Sequence, residues 1–156
     1  MLDQPRPPLE RWPVQHRDDS YGFAWYCGRG IIVSQVIYPH GSAAAARNYH
    51  QFEEKLLRDR AADMTRHGGL FVVHDWRAMQ TYDSEARRIW QERMRERQKG
   101  YLRGSVVCVA KAGALLKMAV QAANMITSMV HGVRVELSED LEAVLREHQI
   151  EGPTPY

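Results

Sequence analysis

Strands alternating with amphipathic helices predict an α/β fold with a mixed sheet for this chain. Three observations carry the prediction. An apolar burst, Leu70-Phe71-Val72-Val73, ends in His74-Asp75, and Asp83-Ser84 then opens a segment with Ala86, Ile89, Trp90 and Met94 at helical spacing. A second apolar run, Ser105-Val106-Val107-Cys108-Val109-Ala110, is followed by another helical pattern. Near the start, two aromatic and β-branched runs flank Gly28-Arg29-Gly30, which reads as an antiparallel hairpin. Repeated strand–helix units imply parallel pairing through crossovers.

The elements follow in order. Residues 1–20 are rich in proline and charge and predict an extended arm, with Trp12 able to dock on the domain. The hairpin strands span 22–27 and 31–38. Its Gly28-Arg29-Gly30 turn is too short for a phosphate loop and is followed by a strand, not a helix. Pro39 ends the second strand, and Ser42 caps a helix running from Ala43 to about Met64. Tyr49, Phe52 and Leu56 keep its apolar spacing, with Glu54/Arg58 and Lys55/Asp59 as i,i+4 pairs. Gly68-Gly69 precedes the central strand, 70–75. A helix is expected over 84–98, a strand over 105–110 and a helix over 114–130. On that last helix Leu115, Met118, Ala122, Met125, Ile126 and Met129 form one broad stripe. Val133–Leu137 alternates as a half-exposed strand would. Ser138 is the expected cap of a final helix with Leu141, Val144 and Leu145 on its apolar face. Residues 149–156 form an extended tail.

The 156 residues suit one domain, placed at 21–148, with a core that needs no disulfide or metal. A net charge of +2 gives no global argument for nucleic acid or an anionic membrane. Cys27 and Cys108 lie in predicted strands and read as buried, reduced thiols. No apolar h-region opens the chain and no apolar run approaches the roughly 20 residues of a spanning helix. The expectation is a cytoplasmic protein without a transmembrane segment.

No metal spacing is visible among the seven histidines. His74 and Asp75 are neighbours in a strand, so they point to opposite faces, and no nucleophile–base–orienter set can be assembled. Asp75, Trp76, Tyr82, Asp83 and Ser84 concentrate polar and aromatic groups where a strand gives way to a helix. They are the candidate partner-binding or regulatory residues. Met118, Ala122, Met125 and Met129 combine flexible thioethers with small residues and are the alternative candidates, for an apolar ligand. Ala119 and Ala123 belong to the same pattern.

The order of elements resembles the STAS domain, the fold of the bacterial anti-sigma-factor antagonists, and more closely its SpoIIAA-like branch. That branch shares the fold with lipid-transfer proteins of the CRAL-TRIO type. The resemblance covers roughly residues 21–148. It rests on the strand ending at Asp75, on Asp83-Ser84 at a helix start, and on the terminal strand and helix from Val133 to Leu145. It implies an STAS-like mixed sheet with an N-terminal β-hairpin and helices mainly on one face. It further implies a non-catalytic regulatory or protein-interaction module without cofactor. The implied partner is another protein, such as a regulatory kinase or signalling component, or a second copy of the chain. The alternative is a binder or carrier of a small apolar ligand or lipid. Antagonists carry Asp-Ser-Ser/Thr-Gly, whereas this chain has Asp83-Ser84-Glu85-Ala86. Glu85 places a negative charge beside any phosphate on Ser84, and Ala86 narrows the backbone approach. Those departures favour helix capping over phosphorylation-controlled switching.

Overall fold

The computed structural model describes residues 4–111 and 113–155; the side chains of Leu115, Ala119, Ala123 and Ile126 also lie outside the described set. A mixed six-stranded sheet organises the chain. Its strands are β1 (His16–Asp18), β2 (Gly22–Tyr26), β3 (Ile31–Val36), β5 (Leu70–Asp75), β7 (Leu102–Cys108) and β8 (Val135–Ser138), in that spatial order. The pairs β1–β2 and β2–β3 are antiparallel, and β3–β5, β5–β7 and β7–β8 are parallel. Two short strands, β4 (His40–Gly41) and β6 (Thr81–Tyr82), pair separately beside the sheet. The helices are α1 (Ala43–Asp59), α2 (Ala61–Arg66), α3 (Ser84–Glu96), α4 (Ala114–His131) and α5 (Leu141–Glu147).

The alternation of strand side chains divides the core into two layers. On the front face Ala24, Tyr26, Ile32, Val36, Val72 and Val107 pack beneath α1, α3 and α4, with Met64 of α2 joining them. On the rear face Phe23, Trp25, Val33, Phe71, Val73 and Val106 are covered by Leu141, Val144 and Leu145 of α5. The three crossover helices therefore share one face, and α5 sits alone on the other.

Local chemistry explains the boundaries. The hairpin reverses at Gly28, Arg29 and Gly30, all with positive φ, where two glycines remove most of the steric cost. Ser42 caps α1 by accepting from Ala45 N at 3.1 Å. The expected long first helix breaks at Arg60, whose φ and ψ of -122° and 22° leave the helical region and start α2. The last helix begins two residues later than expected. Asp140, not Ser138, caps it, accepting from Ala143 N at 3.0 Å. Ser138 instead accepts from Asp140 N, which sets the cap in place.

The N-terminal segment is not the extended arm outside the domain that its composition suggests, although Trp12 docks as expected. His16–Asp18 adds an edge strand to the sheet. A short 3₁₀ turn, Leu9–Arg11, lies against the rear face, where Leu9 is 0% exposed. Trp12 meets Trp25 edge-on with centroids 5.5 Å apart. The tail closes the same side: Thr154 N donates to Tyr26 O and Gln15 Nε2 to Thr154 O. Leu9, Trp12 and Ile150 supply the cover that α5 alone is too short to provide. Cys27 and Cys108 are free and buried in this rear layer, where burial pushes both thiols up to about 12. Among the described residues no helix is long and apolar enough to cross a membrane.

Candidate functional site

Two polar dipeptides interrupt otherwise apolar strands: Ser34-Gln35 in β3 and His74-Asp75 in β5. The parallel register places Ser34 against His74 and Gln35 against Asp75. Because neighbours point to opposite faces, one pair meets at the front of the sheet and the other at the rear. Each closes a hydrogen bond of 2.7 Å, between Ser34 Oγ and His74 Nδ1 and from Gln35 Nε2 to Asp75 Oδ2. The pattern was visible as matching polar interruptions in two strands, but only the strand register joins them.

The rear pair anchors the N-terminal segment. Asp75 accepts from Arg77 Nε at 2.8 Å and Nη2 at 2.9 Å, and Arg77 Nη2 also donates to Pro7 O at 2.7 Å. Gln35 accepts from Arg6 N and donates to Arg6 O. The Asp75 hydrogen bonds hold the Arg77 guanidinium above its ordinary pKa. Asp75 is thus buried and fully engaged. It ties down the following loop and the arm, and does not belong to an accessible contact surface.

The front pair faces an aromatic cluster. His74 is 7% exposed, with Tyr49, Trp76 and Trp90 ring centroids 5.1, 5.3 and 5.2 Å from its own. His50 lies beyond Trp90, with centroids 4.4 Å apart, and its Nδ1 contacts Ala46 O at 2.6 Å. Burial lowers His74 to about 3, with a small contribution from His50. Burial likewise lowers His50 to about 4, and the Arg97 and Arg93 guanidiniums add to that. Both imidazoles are therefore neutral near neutral pH. With Nδ1 engaged by Ser34, Nε2 of His74 has no hydrogen-bond partner among the described residues.

This cluster borders two partly open pockets of about 30 and 70 Å³ at the carboxyl end of β5. His74, Trp76, Tyr82 and Trp90 line both. The smaller extends toward the start of α1, past Ala45 and Ala46. The larger extends under α4, past Val120 and Thr127. Neither wall contains an Asp, Glu, Lys or Arg among the described residues.

The other predicted residues separate. Trp76 is buried in the cavity wall, so it offers no outward surface. Tyr82 is half-buried and carries Arg87 over its ring, 5.5 Å from the centroid. Asp83 is the N-cap of α3 by backbone conformation, without a side-chain cap bond, and stands 3.5 Å from His40 Nε2. Ser84 is the first residue of α3 and is exposed. Glu85, which replaces the second hydroxyl of the antagonist motif, binds Arg47 of α1 at 2.6 Å and so joins the two helices.

The methionine stripe is the second correction. Met118, Met125 and Met129 are 65%, 67% and 83% exposed, and Ala122 is exposed with them. They face away from the interior space, which α4 lines through Val120 and Thr127. Among the described residues α4 buries Leu116, Val120, Thr127 and His131, while its methionines carry apolar character onto the outer face. Helical periodicity marked the stripe but did not say which apolar face would meet the sheet. Met118 and Ala122 border a shallow depression that also touches Thr81, Tyr82 and Arg87. The outward part of the 75–90 segment therefore adjoins the methionine stripe at its Met118 and Ala122 end.

Among the described residues no group of His, Cys, Asp and Glu is placed to hold a metal ion. Comparison with family models, curated proteins and solved structures finds no match.

Proposed function

We propose that this chain is a non-catalytic regulatory or protein-interaction module of the STAS, SpoIIAA-like type, working through the outer face of α4 and the adjoining Tyr82 edge. The observation that carries the reading is the exposure of Met118, Met125 and Met129 along one stripe. A methionine side chain gains about 1.5–3 kcal/mol when removed fully from water, so covering three is a substantial incentive for association. Flexible thioethers fit a surface that must adapt to a partner. Continuity with Tyr82 and Arg87 adds an aromatic and a cation, residue types favoured at interfaces.

The order of strands and the shared face of the crossover helices support the STAS-type reading. The chemistry at His74 supports the non-catalytic one. Ser34 and His74 come closest to a nucleophile–base pair, yet an imidazole titrating near 3 is a poor base at neutral pH, and no residue orients its second nitrogen. Ser84 acts as the first residue of a helix, not as a switch. The partner is a protein, in the simplest case a second copy of this chain.

Sedimentation velocity and affinity capture with the purified chain test the proposal. Met125→Lys with Met129→Lys should abolish self-association or capture of a defined protein partner, while the melting midpoint stays within a few degrees. A double variant that keeps every association of the wild type refutes the surface. A wild-type chain that stays monomeric and captures no protein refutes the function.

A further inference from the structure

The space at His74 lies beneath the α4 surface, shares Tyr82 with it but none of its methionines, and points to a small-molecule site. Its walls combine aromatic rings, aliphatic side chains and methionines with very little polar surface. Ser34 Oγ occupies one imidazole nitrogen at 2.7 Å and leaves the other without a partner among the described residues. That nitrogen keeps some accessible surface, so a ligand atom can hydrogen-bond to it. We propose that this space binds a neutral, single-ring aromatic molecule carrying one hydrogen-bonding group, which meets His74 Nε2 while the ring packs among Trp76, Trp90, Tyr49 and Tyr82.

Three properties select that class. The first is charge. No ionised side chain lines either space among the described residues, so a carboxylate, phosphate or ammonium would enter without a counter-ion. The burial that keeps His74 neutral opposes a ligand charge for the same reason. The second is size. The spaces of about 30 and 70 Å³ share four lining residues, and each is smaller than the roughly 150 Å³ of an apolar cavity known to take up benzene, so a guest must be small and enters as the walls yield. One ring, with some yielding of the half-buried Tyr82 and Trp90 walls, is the upper limit, and an acyl chain or fused ring system is too large. The third is shape: the surrounding rings lie at varied angles, offering edge-to-face and offset contacts to a planar guest. The hydrogen-bond direction follows the ligand. If Ser34 donates to Nδ1, Nε2–H donates to the guest; with the other tautomer, Nε2 accepts.

Fluorine NMR titration with fluorobenzene, 4-fluorophenol and 4-fluorobenzoate tests each property with one ring. The wild type should bind 4-fluorophenol about five-fold more tightly than fluorobenzene, the worth of one ordinary hydrogen bond, and should not bind 4-fluorobenzoate. His74→Phe should bring 4-fluorophenol down to the affinity of fluorobenzene. Val120→Phe, which leaves His74 in place and fills the larger space, should abolish binding of both neutral probes, and it serves as the test if His74→Phe fails to fold. Absence of binding by both neutral probes overturns the site. So do preferential binding of the benzoate, a phenol preference that survives His74→Phe, and wild-type affinity in Val120→Phe. None of these outcomes depends on the methionines of α4, so the site and the interaction surface stand or fall separately.

Discussion

Acid should destabilise this fold through His74 and His50. Both rings pack against Tyr49 and Trp90, and burial lowers them from the usual 6.5 to about 3 and about 4. Their folded-state values lie below the unfolded one, so the unfolded chain binds more protons throughout the window between. Stability is therefore complete above about pH 6.5 and falls as the pH drops toward the folded values. Moving from about pH 7 to about pH 5 costs about 2 kcal/mol for each ring, or about 4 kcal/mol together. That is a large share of the 5–15 kcal/mol typical of a domain. Arg97 and Arg93 press on His50 in the same direction, whereas burial holds the Glu53 carboxyl above its ordinary value and works the opposite way. A variant comparison removes these shared contributions. His74→Phe keeps a planar ring among its aromatic neighbours and loses only the titration and the Ser34 hydrogen bond. Urea unfolding at both pH values, followed by far-ultraviolet circular dichroism, should show the variant losing about 2 kcal/mol less than the wild type across the interval. An equal loss in the two proteins would mean that His74 is not held neutral by burial, and the reasoning fails.

Leu9→Ala should cost about 2–5 kcal/mol in the same unfolding assay, because Leu9 is fully buried under the rear face; a loss below 1 kcal/mol would show the N-terminal segment to be undocked. Ser84→Asp should leave stability unchanged or slightly raised, since the side chain is exposed at the start of α3 and a negative charge suits that end, whereas Ser42→Ala should cost about 1 kcal/mol by removing the cap of α1. Equal effects at the two serines would remove the distinction between them.

Local patterning determined most of the fold. Period-two and continuous apolar runs placed β2, β3 and β5, and the spacing of Ala86, Ile89 and Trp90 placed α3, because these signals depend on neighbours only a few residues away. The opposed directions of His74 and Asp75 followed from strand geometry alone. Short or exposed elements were not legible in this way. His16–Asp18 has no apolar alternation and exists as a strand because β2 offers a free edge. The Leu9 turn is buried because α5 covers too little of the rear face, which no local signal reveals. Tertiary structure alone decided what the candidate residues do. The register of β3 on β5 joined Ser34 to His74 and Gln35 to Asp75 across 40 residues of chain, converting Asp75 from a contact candidate into an anchor for the arm. The packing of α4 decided between two apolar faces of one helix, turning Val120 inward and the methionines outward. A helix with apolar residues on more than one face carries no full instruction about which of them is wet; only the competition for the sheet surface supplies it.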